Sequence, residues 1–304
     1  MGKEKRVNMR SGIYKIPFSD YLADPCIVPS LSRSTIKSLV NECPRKAYHG
    51  HPRLNPDHEK DEKTQFDIGT AAHDCFLGGE NAVMVFDYKD WKKKKAQEAK
   101  AAARSFNKTP LLREQFDAVQ AMVAVAHESL ATFEAYGEPL NLHIADGESE
   151  LTYIWEEKET WFRIRPDWIS KDKKIILDYK TTGQSADPEN YISIIDHTGL
   201  DIQDALYRRG VHAIDDTDPD FWLMVQETEA PYLCSFINLD MQFKDMGEQK
   251  VNMGIRVWRK CLKTGIWPAY PTQLCTVEPK PWSLASWEMK KSNILVGGES
   301  GIHN

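Results

Sequence analysis

The stretch WFRIRPDWISKDKKIILDYK, Trp161–Lys180, reads as two strands joined by a polar turn. Trp161–Ile169 is rich in aromatic and β-branched residues, Ser170–Lys174 is polar, and Ile175–Lys180 opens apolar and ends in Asp178-Tyr179-Lys180. Folding about Asp172/Lys173 sets Asp167 opposite Asp178. Residues two apart on a strand share a face, so Lys180 joins Asp178 there. Two carboxylates facing each other repel and weaken a hairpin. A divalent cation between them reverses the sign of that interaction, and oxygen donors of this kind suit Mg²⁺ or Mn²⁺.

Around this hairpin the pattern is that of one α/β domain. The 304 residues are enough for a single domain spanning 1–304, with an irregular segment at 1–29 (prolines at 17, 25 and 29) and a mobile tail at 292–304. No apolar run is long enough to span a bilayer. The N-terminus has no apolar stretch behind its charges, and Met1-Gly2 is followed by Arg6 where a myristoylation signal wants Ser or Thr. The six cysteines, at 26, 43, 75, 234, 261 and 275, form no CxxC pair. That spacing suits a reducing cytoplasm and gives neither a disulfide framework nor a zinc site. A net charge of −6 argues against a protein that coats DNA, but not against a local basic groove.

Upstream, Ser32 has the position of an N-cap, with Leu31 and Ile36 as a hydrophobic staple, and Pro44 interrupts the helix that follows. Thr64–Leu77 reads as a helix that packs through Phe66, Ala72, Phe76 and Leu77, with Gly69 and His73 one turn apart. Val83–Phe86 reads as a strand and Trp91–Ala103 as a helix. Thr109-Pro110 reads as the start of a helix reaching Ala135. Asn141–Ile144 and Ser149–Trp155 read as strands leading into the hairpin, with Glu148 and Glu150 at the start of this sheet either as surface charges or within reach of the metal site. Downstream, Gly199–His212 is a helix with Gln203 and Tyr207 on one face. Phe221–Glu227 and Tyr232–Asn238 are strands. Asp240 caps a helix to Lys263, and Pro281–Lys291 is a short helix packed by Trp282, Leu284 and Trp287.

The order Gly69-x-x-x-His73, Pro166-Asp167, Asp178-x-Lys180, Gln203-x-x-x-Tyr207 resembles the RecB-type branch of the PD-(D/E)xK nuclease superfamily, and most of all the phage-type exonuclease VIII (RecE) nuclease domain. The stretches LSRSTIKSLVNECPRKAY, FDIGTAAHDCFLGG, RIRPDWIS, ILDYKTT and DIQDALYRRG carry it, over roughly residues 30–270. Any one motif is a weak signal; four in this order are specific.

The resemblance implies a restriction-endonuclease-like core, a central mixed sheet with an antiparallel catalytic hairpin flanked by helices. It implies that His73, Asp167, Asp178 and the backbone carbonyl of Tyr179 hold metal, two Mg²⁺ ions with Mn²⁺ able to substitute. Lys180 would then activate the attacking water, while Gln203 and Tyr207 would position the lysine, the phosphate or the DNA end. It further implies 5′→3′ degradation of linear duplex DNA, a ring-shaped homotetramer and a single-strand annealing partner. Some relatives carry an iron–sulfur cluster. Cys43-Pro44-Arg45 looks like the start of that signature, but Cys261 and Cys275 do not form its closely spaced C-terminal group, so no cluster is expected. Arg33, Lys37 and Arg45 adjoin a motif helix and are candidates for DNA contact. Two alternatives stay open: an endonuclease or 3′→5′ enzyme on the same core, and an inactive DNA-end-binding protein.

Overall fold

The computed structural model describes residues 8–58, 67–78, 83–106 and 108–299. Residues 64–66, including Phe66, lie outside them. The chain forms two compact units, Met1–Pro268 and Ala269–Asn304.

The first unit opens with β1 (Gly12–Tyr14) and α1 (Phe18–Leu22), both within the segment read as irregular. α2 (Arg33–Lys37), a π-helical turn (Ser38–Glu42) and α3 (Pro44–His49) follow. The Ser32 hydroxyl caps α2 by accepting from the Thr35 N–H, and Leu31 and Ile36 are fully buried beside it. Next come α4 (Asp67–Leu77), β2 (Val83–Phe86), α5 (Lys94–Ser105), β3 (Thr109–Leu112) and α6 (Arg113–Ala131). Thr109-Pro110 is thus a strand and not a helix start. β3 pairs in parallel with β2, Leu111 is fully buried, and α6 begins only where the Gln115 side chain accepts from the Leu112 N–H.

The short pair β4 (Glu134–Ala135) and β5 (Glu138–Pro139) precedes β6 (Gly147–Ser149), β7 (Thr152–Glu157), β8 (Thr160–Ile164), β9 (Trp168–Ser170) and β10 (Ile175–Thr182). A 3₁₀ turn at Ile144–Asp146 stands where a strand from Asn141 was expected. α7 (Pro188–Thr198) and α8 (Leu200–Asp215) lead to β11 (Asp220–Glu227), β12 (Cys234–Asn238) and α9 (Met241–Thr264). Asp240 accepts from the Phe243 N–H to start α9, and left-handed Gly265 ends it.

The hairpin register matches the sequence reading, with Ile176 opposite Ile169 and Leu177 opposite Trp168. Its first strand does not run from 161 to 169, however. β8 belongs to a three-stranded sheet, β1-β7-β8, and β9 to a five-stranded one, β12-β11-β10-β9-β6. Pro166 has no N–H to give a ladder, so the chain breaks pairing there and changes sheets. In the larger sheet β10 is antiparallel to β9 and parallel to β11, which makes it mixed.

Strand alternation gives β10 two different faces. Ile176 packs with Phe221, Leu223 and Val225 under α8, while Leu177 and Tyr179 pack with Trp222 and Met224 under α4 and α6. At the α8–α9 crossing the helices come close because Gly247 has no Cβ; one would stand 2.3 Å from the Asp201 carbonyl oxygen.

A second polar centre joins α1 to β8. Buried Arg163 donates to the Tyr21 and Ser30 carbonyls and to the Ser30 hydroxyl, and pairs with Asp24 at 3.4 Å. Asp24 in turn accepts from the Ser30 N–H at 2.9 Å. His51, fully buried against Ser30 and Asp24, is pushed down to about 4 by burial and by the Arg163 charge. Its folded-state value lies below the unfolded one, so the unfolded chain binds more protons between pH 6.5 and 4. Stability from this group is therefore present above about pH 6.5 and falls as pH drops, by about 3 kcal/mol in all. Urea titrations of the parent and of His51→Gln across that window are expected to diverge by this amount, the variant having the flatter curve.

In the second unit, residues 269–280 are largely without regular structure and precede α10 (Pro281–Glu299). Residues 292–299 of the segment read as a tail are thus helical. Trp282, Leu284 and Trp287, expected to pack this helix, are exposed at 65%, 50% and 54%. Among the described residues no helix is long and apolar enough to cross a membrane.

Candidate active site

β10 ends against a cleft of about 920 Å³, lined by residues from α1, α2, α4, the β8–β9 bend, β10 and α8. His73, Asp167, Asp178, Tyr179, Lys180, Gln203 and Tyr207 all line it, as does Arg33. Lys37 and Arg45 do not line it; Arg45 is exposed on α3.

Asp178 is completely buried in the middle of β10. Gln203, one strand-to-helix crossover later, donates from Nε2 to Asp178 Oδ1 at 2.6 Å. Lys180 brings Nζ to within 2.5 Å of Asp178 Oδ2 and 3.8 Å of Asp167 Oδ2. Asp178 Oδ2, buried like the rest of the side chain, is thus held by the Lys180 ammonium.

Asp167 follows the Pro166 break, outside the strand ladder. Its Oδ2 accepts the Tyr179 N–H at 2.9 Å, and its carbonyl accepts the Glu150 N–H at 3.0 Å. His73 arrives from α4 on the opposite side of β10 and places Nε2 3.2 Å from Asp167 Oδ1. Tyr207 donates to the Arg165 carbonyl at 3.3 Å, which fixes the bend that presents Pro166-Asp167. The Tyr179 side chain points away into the core, where its hydroxyl donates to Gln226.

α4 can approach β10 this closely because residue 69 is glycine. A Cβ there would stand 2.6 Å from Thr181 Oγ1. Gly69→Ala is expected to push the helix off and cost about 1–3 kcal/mol of stability. Thr181→Ala in the same chain is expected to restore it, as read by denaturant midpoints.

The charges are strongly linked. Burial disfavours charge on His73, but the Asp167 carboxylate overrides it and pushes the imidazole up to about 10. Burial would raise Asp167 as well, yet Lys180 and then His73 hold its carboxyl well below the usual range. Asp178 is pushed up by burial and by the Asp167 charge, with Lys180 opposing. Lys180 is raised: Asp178 and Asp167 together outweigh its burial. As the side chains stand, each carboxylate is met by a protein cation. Among the described residues no three His, Cys, Asp or Glu side chains are already gathered around one point as ligands. The donor set nevertheless fits a divalent cation. Two carboxylates that share the Lys180 ammonium and an imidazole 3.2 Å from one of them are the right donor types, and Asp74 Oδ2, next to His73 in the chain, is a buried oxygen lacking a hydrogen bond.

Further side chains outside the motifs line the cleft, Phe106 and Lys108 among them. Arg165, directly before Pro166, pairs with Glu150 Oε2 at 3.3 Å, so Glu150 is a cleft residue and not a plain surface charge. Asp74, directly after His73, has a buried Oδ2 with no hydrogen-bond partner. Adjacency to a motif residue is the only sequence signal either Arg165 or Asp74 offers. Arg33 is largely engaged on the carbonyls that end α7, Thr198 and Gly199.

Comparison with known proteins agrees with this architecture. No curated protein is similar enough in sequence to be matched. Among solved structures, a protein from Eubacterium rectale described as "Putative exonuclease" superposes with a TM-score of 0.56 at 14% identity, over 88% of this chain and 96% of that one. The structure of SSO0001 gives a TM-score of only 0.27 at 13% identity, over 85% of this chain and 100% of that one, too slight a likeness to bear on the fold. Residues 32–278 match the model of the PDDEXK-like domain of unknown function DUF3799. That match takes in the Gly69/His73 helix, the Pro166-Asp167 bend, Asp178-x-Lys180 and the Gln203/Tyr207 helix, and by it the chain belongs to this PDDEXK-like family and so to the PD-(D/E)xK nuclease superfamily.

Proposed function

We propose that this protein is a divalent-metal-dependent exodeoxyribonuclease that degrades linear duplex DNA 5′→3′ and leaves 3′ single strands. The observation that carries the nuclease reading is the meeting of His73, Asp167, Asp178 and Lys180 in one cleft, from distant parts of the chain. Polarity, Mg²⁺ as the ion, assembly into a ring and an annealing partner rest on the resemblance to exonuclease VIII.

In this reading Asp167, Asp178 and His73 hold the metal, with the Tyr179 carbonyl as a further donor. When bound, the ion polarises the scissile phosphate and lowers the pKa of the attacking water. Lys180 supplies a fixed positive charge beside the carboxylates, where negative charge grows on the phosphate. Gln203 holds Asp178 by Oδ1, and Oδ2 faces the Lys180 ammonium. Tyr207 and Pro166 keep Asp167 at the bend.

The test is digestion of a linear duplex labelled at its 5′ or its 3′ terminus, with a closed circle as control, in Mg²⁺ and in EDTA. Early release of 5′ label, an intact circle and silence in EDTA are expected. Cutting of the circle would replace this reading with an endonuclease. Binding to duplex ends without cleavage in Mg²⁺ or Mn²⁺ would replace it with an end-binding protein.

A further inference from the structure

α1 places two half-exposed apolar side chains at the cleft. Phe18 and Leu22 are one turn apart, share a face and line the cleft, yet are 52% and 42% exposed. Tyr21, on the same turn, is buried. This lip is held at both ends. Arg165 Nη1 donates to the Ile16 carbonyl at 2.6 Å, and Arg163 Nε to the Tyr21 carbonyl at 3.1 Å. Phe18 stacks on Tyr21, with centroids 6.1 Å apart and 15° between planes, and the Arg165 guanidinium lies 5.7 Å from its ring centre. The residue that precedes Pro166-Asp167 therefore also orients the Phe18 ring.

Arg33, Lys108, Arg163, Arg165 and Lys180 line the cleft beside Asp74, Glu150, Asp167 and Asp178, and Arg163, Arg165 and Lys180 are paired with carboxylates. Charge can attract a phosphate here, but it does not fix where a base lies; an aromatic face does. The cleft volume lies at the upper end of the roughly 300–1,000 Å³ typical of small-ligand sites. That is room for a few nucleotides of one strand. Every base offers a π face, so stacking on an aromatic holds a strand without reading its sequence.

We propose that Phe18, backed by Leu22, is a stacking platform for an unpaired base of the strand to be cut, and so a positioning residue for the site. The proposal rests on the nuclease reading. It requires the strand to be unpaired by the time it reaches α1.

The test is anisotropy in EDTA with two labelled single strands of equal length, one normal and one carrying abasic sites. Phe18→Ala is expected to weaken binding of the normal strand roughly 5- to 100-fold. Phe18→Trp is expected to retain affinity, and Phe18→Leu to behave like Phe18→Ala. The abasic strand is expected to bind parent and variants alike. Parent-like binding by Phe18→Leu, or an equal loss on the abasic strand, would overturn the stacking role. Cleavage by the parent in Mg²⁺ is scored separately, so failure of the nuclease reading is visible apart from failure of this one.

Discussion

Asp178→Asn is expected to abolish Mg²⁺-dependent cleavage while leaving the fold intact. The side chain is completely buried, and asparagine keeps its size and an oxygen able to accept from Gln203 Nε2. What is lost is the charge. An ion that stabilises transition-state charge by several kcal/mol cannot be held by a neutral amide in the same way, and about 4 kcal/mol is roughly a thousandfold in rate. Stability without metal is expected to change little, because the substitution removes a carboxylate that repels Asp167 in a buried place but also the partner of Lys180, which keeps Asp167 at 3.8 Å. A single-turnover assay together with a denaturation curve checks both halves. Activity within tenfold of the parent would remove Asp178 from the proposed metal site. A large fall in stability would make the side chain structural.

The second large effect is expected at Arg163, outside the cleft's chemistry. Arg163→Met removes the guanidinium that pairs with Asp24 and donates to Tyr21 and Ser30. Breaking a buried pair from one side leaves an uncompensated charge and typically costs about 3–5 kcal/mol. That is a large part of the ~5–15 kcal/mol by which most domains are stable. Asp24→Asn in the same chain is expected to recover part of the loss, since it removes the stranded charge. A double-mutant cycle read by urea midpoints measures the coupling. Additive losses would mean that Arg163 acts only through the carbonyls it holds.

The hairpin that carries Asp167 and Asp178 was legible because its cues are local. The alternation of Ile176, Asp178 and Lys180, and the polar turn at Asp172/Lys173, fix the register within twenty residues. The motif positions on α4 and α8 were legible through spacing, though the partner of Gln203, Asp178 Oδ1, was not. The sheet change at Pro166 was missed because an aromatic, β-branched run masks one proline. Thr109-Pro110 misled for a different reason. A proline that suits the first turn of a helix also suits an edge strand, and the choice was made by β2, some twenty-five residues upstream. The Asp24–Arg163 centre and the lip at Phe18 depend on contacts across well over a hundred residues, which no local pattern encodes.

The parallel pairing of β10 with β11 bears on how the site comes into being. Antiparallel β9 and β10 are joined by a short turn and can meet early, at little loop-closure cost. A parallel neighbour cannot be reached by a turn; here it needs the crossover through α7 and α8. Asp178 is 25 residues from Gln203, and Tyr207 is 42 residues from the Arg165 carbonyl it anchors. Until that crossover docks, the hairpin holds its acidic residues without the side chains that orient them. Non-local pairings of this kind are the slow steps of folding. The nascent chain therefore carries Asp167, Asp178 and Lys180 well before it can orient them.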